Sequence, residues 1–170
     1  MAHSGIPTLL PDVLGGHRLT EPEALRIMNA QGQDVFRIHL HAFRYIQDET
    51  HGFTEFIPMA FIHANTPLYQ LGIARAGSTG REDILMLAVS RPFLDNFKNI
   101  QVSWGKLGIK MTQVALLCGG NDLAGTMFTD DVSLDAGASD AGYLGPAVME
   151  HIVSDIGRTL RQRTTLYELT

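Results

Sequence analysis

The chain has 170 residues, of which 45% are hydrophobic and 18% charged, enough for one cored domain. Its formal charge of -5 is modest and its 13 Lys and Arg are scattered, so it lacks the basic stripe that nucleic-acid binding requires. No stretch approaches the roughly 18 apolar residues of a membrane span, and the start MAHSGIPTLLPDVLGG lacks a basic region followed by a long apolar run, so the expectation is a cytoplasmic protein with neither nucleic acid nor membrane as partner.

The single cysteine, Cys118, excludes an intrachain disulfide and cannot by itself hold zinc or an iron-sulfur cluster; it reads as a small buried apolar residue. Residues 1–16, with Pro and Gly but no periodicity, read as an irregular lead-in. Thr20-Glu21-Pro22-Glu23 then starts a helix over 21–29, with Thr20 and Glu23 forming a capping box and Ala24, Leu25 and Met28 on one face. Gln31-Gly32-Gln33 interrupts it. A second helix is expected over 34–49, where Phe36, Leu40, Phe43 and Ile46 recur at helical spacing before His51-Gly52.

Residues 53–58 alternate as a strand does, with Pro58 at the C-terminal end, and 59–79 form a long connection with short elements. A helix is expected over 81–97, kinked or shortened by Pro92, then a strand over 99–104, a helix over 109–118 and a short strand over 120–123. Strand and helix alternating with short links imply an α/β fold with a parallel sheet, so working residues should lie where strands end, near Pro58, Trp104 and Asp122. Residues 130–145, rich in Asp, Ala, Ser and Gly, read as a mobile loop, 146–158 as a final helix, and 161–167 as an extended cationic tail.

Four blocks stand in order: Ile46-Gln47-Asp48-Glu49-Thr50 with Gly52-Phe53-Thr54-Glu55-Phe56-Ile57-Pro58; Asn99-Ile100-Gln101-Val102-Ser103-Trp104 with Lys106-Leu107-Gly108; Gly120-Asn121-Asp122-Leu123-Ala124-Gly125-Thr126; and Ile156-Gly157-Arg158 through Arg161-Gln162-Arg163-Thr164-Thr165-Leu166-Tyr167. Together they resemble the C-terminal half of the tyrosine-coupling subunit of deazaflavin FO synthase, a radical S-adenosylmethionine (SAM) family. Aminofutalosine synthase and dehypoxanthine futalosine cyclase of menaquinone biosynthesis are close relatives. Arg18-Leu19-Thr20-Glu21-Pro22-Glu23-Ala24-Leu25 resembles the family's N-terminal helix. The resemblance implies residues 1–35 as a lead-in and helix and 36–170 as half of a TIM-type (β/α) barrel. The half that would hold the cluster-binding CxxxCxxC is expected to be missing at a join near Val35 and Phe36, through a deletion or a faulty gene model.

In that family an iron-sulfur cluster reduces SAM to a 5'-deoxyadenosyl radical, and a fragment of tyrosine is joined to 5-amino-6-(D-ribitylamino)uracil. With one cysteine the chain is expected to bind no such cofactor alone and to be inactive alone. The alternatives are a non-catalytic binding or assembly module and a menaquinone-pathway relative. An unpaired half-barrel would form a homodimer or pair with a full-length subunit.

The resemblance implies a substrate wall for a small aromatic or ribityl-pyrimidine ligand, made by Glu55, Gln101, Ser103, Trp104, Lys106, Asn121, Asp122 and Thr126. No catalytic residue is assigned and no metal ligand is expected. Glu55 and Gln101 would meet ring nitrogens or ribityl hydroxyls; surface exposure is the competing reading. Lys106 would balance charge on a substrate. Trp104 competes with a core role, and Asn121, Asp122 and Thr126 with a turn-forming one; Gly120 and Gly125 would allow close ligand approach. His39 and His41, two apart on a helix, face opposite sides. His63 reads as an exposed loop histidine or a substrate contact, and Arg158, Arg161 and Arg163 as an anion clamp, tail ties or solvated cations.

Overall fold

The structure, a computed structural model, describes residues 9, 11–13, 15–29, 33–126, 130–139 and 141–170, with 28, 33, 34, 36 and 37 described by backbone alone. The Met28 and Phe36 side chains, and the Gln31-Gly32 interruption, therefore fall outside the described residues. The chain forms two compact units, one of Met1–Phe53 with Phe93–Asn96 and one of Thr54–Pro92 with Phe97–Thr170. No helix among the described residues is long and apolar enough to cross a membrane.

In the first unit, α1 spans Glu21–Met28 and α2 spans Gln33–Thr50. The Glu23 carboxylate accepts from the Thr20 N–H at 2.8 Å and the Thr20 hydroxyl at 2.7 Å, satisfying an otherwise orphaned donor. The Thr20 amide contact, with His17 also bonded, lowers the Glu23 pKa from 4.5 to about 2. The expected apolar faces are only partly buried: Leu40 is buried, whereas Leu25 and Ile46 are exposed. What seats the end of α2 is polar. The buried Gln47 accepts from the Phe53 N–H at 2.9 Å and donates to the Phe53 carbonyl at 3.0 Å. Asn96 donates to the Arg44 carbonyl and to Asp48, both at 2.8 Å.

In the second unit, α3 is Pro67–Gln70, α4 Gly80–Phe93, β1 Gln101–Val102, α5 Trp104–Leu107, α6 Ile109–Leu117, β2 Asp122–Leu123, α7 Asp131–Asp135 and α8 Pro146–Asp155. The two strands pair in parallel with Gln101 opposite Asp122 and Val102 opposite Leu123, joined by the α5–α6 crossover. The α/β class with parallel strands is thus as expected, but the strands are short. The segment expected over 53–58 pairs only at Phe56, bridged in parallel to Ile100; Pro58, with no N–H, cannot extend the ladder. The second strand cannot reach Trp104 because Ser103 already precedes α5, its carbonyl accepting from the Lys106 and Leu107 N–H groups.

Three further expectations are corrected. The α4 helix stops at Phe93, one residue past Pro92, not at Phe97. Within 130–145 lies a helix, α7, capped by the Asp130 carboxylate accepting from the Ser133 N–H at 3.0 Å. The final helix ends at Asp155, and Gly157 with φ +72° turns the chain away.

One apolar cluster joins Leu87 of α4, Ile100 just before β1, Val102 of β1, Ala115 and Leu116 of α6, and Val153 of α8. A second joins Trp104, Ala124, Leu144, Met149 and Ile152. Gln113 fastens α6 to α8 by donating to the Ile152 carbonyl at 3.1 Å and to Asp155 at 3.0 Å. Where α6 turns into β2, a Cβ on Gly120 would come within 2.3 Å of Val102 Cγ2 and 3.2 Å of the Ala115 carbonyl oxygen. Gly120→Ala is therefore expected to destabilise the fold by about 1–3 kcal/mol through overpacking. Equilibrium urea unfolding checks this, and an unchanged midpoint would contradict it.

Candidate functional site

Parallel pairing sets which side chains share a face. Gln101 and Asp122 are register partners, and Glu55 lies one residue before Phe56, which bridges to Ile100, so Glu55, Gln101 and Asp122 project together, opposite Phe56 and Ile100. Gln101 Nε2 donates to Glu55 Oε2 at 2.6 Å and to Asp122 Oδ2 at 2.9 Å. The tail closes over them. Arg163 grips Asp122 with two hydrogen bonds of 2.6 Å, Nε to Oδ1 and Nη2 to Oδ2, in the fork geometry suited to a carboxylate. Tyr167 donates its hydroxyl proton to Glu55, accepts from Arg163 Nη2 at 3.2 Å, and lays its ring 3.9 Å from the guanidinium carbon.

Two carboxylates, one cation and one phenol thus share a part-buried site. Hydrogen bonding to Asp122 pushes the Arg163 pKa up, so its charge is permanent. Burial, then the hydrogen bond to the Glu55 carboxylate, pushes the Tyr167 hydroxyl pKa up. The cluster can accept from and donate to a neutral polar molecule, and its phenol stays protonated.

Lys106 stands apart from this face. Its ammonium lies 3.2 Å from Asp130 Oδ2 and bonds the Ser133 hydroxyl, while Ser133 in turn bonds Asp130. The Ser133 contacts lower the Asp130 pKa first, with Lys106 adding to them. Ser103 is buried at the N-terminus of α5, and Trp104 is 1% exposed in the core, its indole N–H donating to the Ala124 and Gly125 carbonyls at 3.1 and 3.2 Å. Asn121 is engaged with the backbone: its Oδ1 accepts from the Ile100 N–H at 2.8 Å and its Nδ2 donates to the Lys98 carbonyl at 3.0 Å. Thr126 is exposed. Gly120 approaches Val102 rather than open space, whereas nothing among the described residues lies within 4 Å of a Cβ placed on Gly125.

His39 meets the Val35 carbonyl at 2.8 Å and His41 stands edge-on to the Phe93 ring, so the two have separate partners. His63 is part-buried and not exposed; its Nδ1 accepts from the Gly77 N–H at 2.9 Å and its ring meets Tyr69. Of the tail cations, Arg158 donates to the Gly120 carbonyl at 3.0 Å, Arg161 is exposed, and Arg163 clamps the chain's own Asp122. Tyr167, Asp130 and Ser133 were not among the sequence candidates. The Asp130-x-x-Ser133 spacing is a helix-capping signal that points to two of them; Tyr167 has one near partner, Arg163, but its carboxylate partners Asp122 and Glu55 lie 45 and 112 residues away, beyond any local signal.

Residues 50–170 match the family model described as the CofH/MqnC C-terminal region. A Methanosphaerula palustris protein is 54% identical over 169 residues, 99% of this chain and 43% of the relative. A Methanoculleus marisnigri protein is 62% identical over 131 residues, covering 77% of this chain and 36% of the relative. A Methanospirillum hungatei protein is 60% identical over 129 residues, covering 76% and 35%. All three are named 5-amino-6-(D-ribitylamino)uracil--L-tyrosine 4-hydroxyphenyl transferase. The chain spans less than half the length of these curated relatives.

Removing the cation should expose the repulsion it holds in check. Arg163→Met is expected to lower unfolding free energy by about 1–3 kcal/mol, since it leaves charged hydrogen-bond partners unpaired, and adding Asp122→Asn should recover part of the loss. Chemical denaturation of both variants decides this; a double variant as unstable as the sum of two independent losses would contradict it. Because the folded pKa of Tyr167 is raised, its contribution is fully present below about pH 10, the usual phenol value, and is lost as pH rises through the higher folded value. An ultraviolet phenolate titration should show one late-ionising tyrosine that Tyr167→Phe removes.

Proposed function

This chain belongs to the CofH/MqnC family, and we propose that it carries the C-terminal half of a radical SAM (β/α) barrel that couples the 4-hydroxyphenyl group of tyrosine to 5-amino-6-(D-ribitylamino)uracil. In this reading residues 36–170 are the half-barrel, 1–35 a lead-in and helix, and the setting is the cytoplasm. The observation that carries it is the shared face of Glu55, Gln101 and Asp122 across parallel strand segments, the arrangement that lines the interior of a (β/α) barrel. The names of the relatives supply the two substrates.

The donor set of this chain does not fit the family's cluster. Three cysteine thiolates are needed and the sequence holds one, Cys118, half-buried just beyond α6. No group of three or more His, Cys, Asp or Glu suited to a metal ion occurs among the described residues. The cluster, SAM and the radical step are assigned to residues outside this sequence, and the residues of this sequence to binding and orienting the organic substrates. The ladder of two short parallel strands and one bridge is a small part of a closed barrel, which suits pairing with a cluster-bearing half such as that of a full-length subunit; a homodimer would cover the sheet without supplying the cluster.

The test is a chimera in which residues 50–170 of this chain replace the matching stretch of the Methanoculleus marisnigri relative. Coupling within about tenfold of the parent is expected, an effect of about 1.4 kcal/mol on the barrier, while this chain alone should release no 5'-deoxyadenosine from SAM. A folded chimera that makes the SAM-derived product but no coupled product would overturn the substrate assignment. SAM cleavage by this chain alone would overturn the division of labour.

A further inference from the structure

The amino-terminal ends of β1 and β2 carry two arginines, Arg91 from the last turn of α4 and Arg158 from just beyond α8. The turn between α6 and β2 holds both. Arg91 Nε donates to the Gly119 carbonyl at 2.8 Å, and Arg158 Nη1 donates to the next carbonyl, that of Gly120, at 3.0 Å. Adjacent peptides thus bring two guanidinium groups together. The Arg91 pKa is lowered first by burial and then by the Arg158 charge, as that proximity requires.

Both arginines are anchored before any ligand arrives. Arg158 ends a Schellman turn: its N–H bonds the Val153 carbonyl at 3.1 Å and the Gly157 N–H bonds the Ser154 carbonyl at 2.9 Å. Arg91 Nη1 reaches the Phe97 carbonyl at 3.4 Å and Nη2 bonds Asn121 Oδ1, while Asn121 is itself fixed by the Ile100 N–H and the Lys98 carbonyl. The turn can approach α4 only through glycine. Gly119 has φ +132°, and a Cβ there would lie 2.8 Å from the Leu87 carbonyl oxygen and 3.0 Å from Arg91 Cβ.

Among the described residues, neither Arg91 nor Arg158 meets a carboxylate, whereas Arg44, Arg75, Lys106 and Arg163 each do. The carboxyl end of α6 contributes about half a negative charge, so most of the two positive charges is unbalanced. Donors also remain, because a guanidinium has five N–H groups and Arg158 makes one side-chain hydrogen bond to the described residues. We infer that Arg91 and Arg158 form a binding site for a doubly charged oxyanion of the phosphate class, either free or as the phosphoryl group of a small ligand. A dianion matches the pair in charge, and its oxygens suit the parallel N–H groups of a guanidinium fork. The sequence sets Arg158 with Arg161 and Arg163 as an anion clamp; the structure instead gives it Arg91 as neighbour and commits Arg163 to Asp122. The site lies at the strand ends remote from those where (β/α) folds do chemistry, which suits an anion that stabilises or regulates rather than reacts, and it is independent of the coupling reading.

Isothermal titration of the full chain with inorganic phosphate, kept as its dianion at constant ionic strength, tests the assignment. Saturable one-to-one binding is expected, with sulfate competing and the monoanion acetate failing to compete. Arg158→Gln should weaken binding about tenfold or more, and Arg158→Lys, which keeps the charge but loses the fork, about threefold or more. The exposed Arg161→Gln removes the same charge and should change the affinity by less than about twofold. Circular dichroism without phosphate establishes that each variant is folded, and the Lys variant carries the test if the Gln variant is not. No binding by the folded chain, equal weakening by Arg158→Gln and Arg161→Gln, or undiminished affinity in a folded Arg158 variant would overturn the inference. Glycerol 3-phosphate that binds more tightly than phosphate, with the same dependence on Arg158, supports the site as one for a phosphorylated ligand; weaker binding with that dependence supports it as one for the free anion.

Discussion

The two-pronged grip of Arg163 on Asp122 is the contact on which the shared face of Glu55, Gln101 and Asp122 depends. Asp122 sits on β2, its register partner Gln101 on β1, and Glu55 beside the Phe56 bridge, so three separate segments present polar groups to one small volume. Gln101 can bridge the carboxylates because its amide has two protons to give. It cannot neutralise them. Without a cation, two acidic groups on one half-buried surface would repel, and the tail provides that cation from more than forty residues downstream. The same tail places Tyr167 at φ +65°, a left-handed backbone that a bulky side chain rarely adopts, and the phenol contacts to Glu55 and Arg163 offset that strain.

Lys106 presents a contrasting electrostatic solution. Its partner Asp130 does double duty, capping α7 through the Ser133 N–H and holding the ammonium, so the segment between β2 and α8 is tied to the end of β1 by a charge pair within a capping motif. Lys106, the cation of the implied substrate wall, and Arg163, one of the three tail arginines, are thus already committed to carboxylates of the chain itself.

The helices were legible in the sequence because their signals are local. Thr20 and Glu23 cap α1 as their spacing implies, Pro92 shortens α4, and α6 runs over Ile109–Leu117 almost as the apolar periodicity requires. Strand lengths were not legible. Alternation over 53–58 and 99–104 continues past the residues that actually pair, because pairing ends where Pro58 lacks a donor and where Ser103 opens a helix. Composition also misled over 130–145: Asp, Ser and Gly suit a loop, yet Asp130 and Ser133 are the residues that start α7. At the site, period-two alternation around matched strands put Glu55, Gln101 and Asp122 together, while Trp104 and Asn121 are held by core and backbone contacts that no short motif reveals.

These constraints also explain how family membership and a single cysteine can coexist. Radical chemistry depends on three thiolates, whereas positioning an organic substrate depends on strand register, loop packing and committed charge pairs. The second set is built from contacts within Thr54–Pro92 and Phe97–Thr170, one compact unit with its own two apolar clusters. A surface held by its own packing needs no thiolate for its geometry, so the substrate-holding role proposed for this unit does not depend on the cluster ligands.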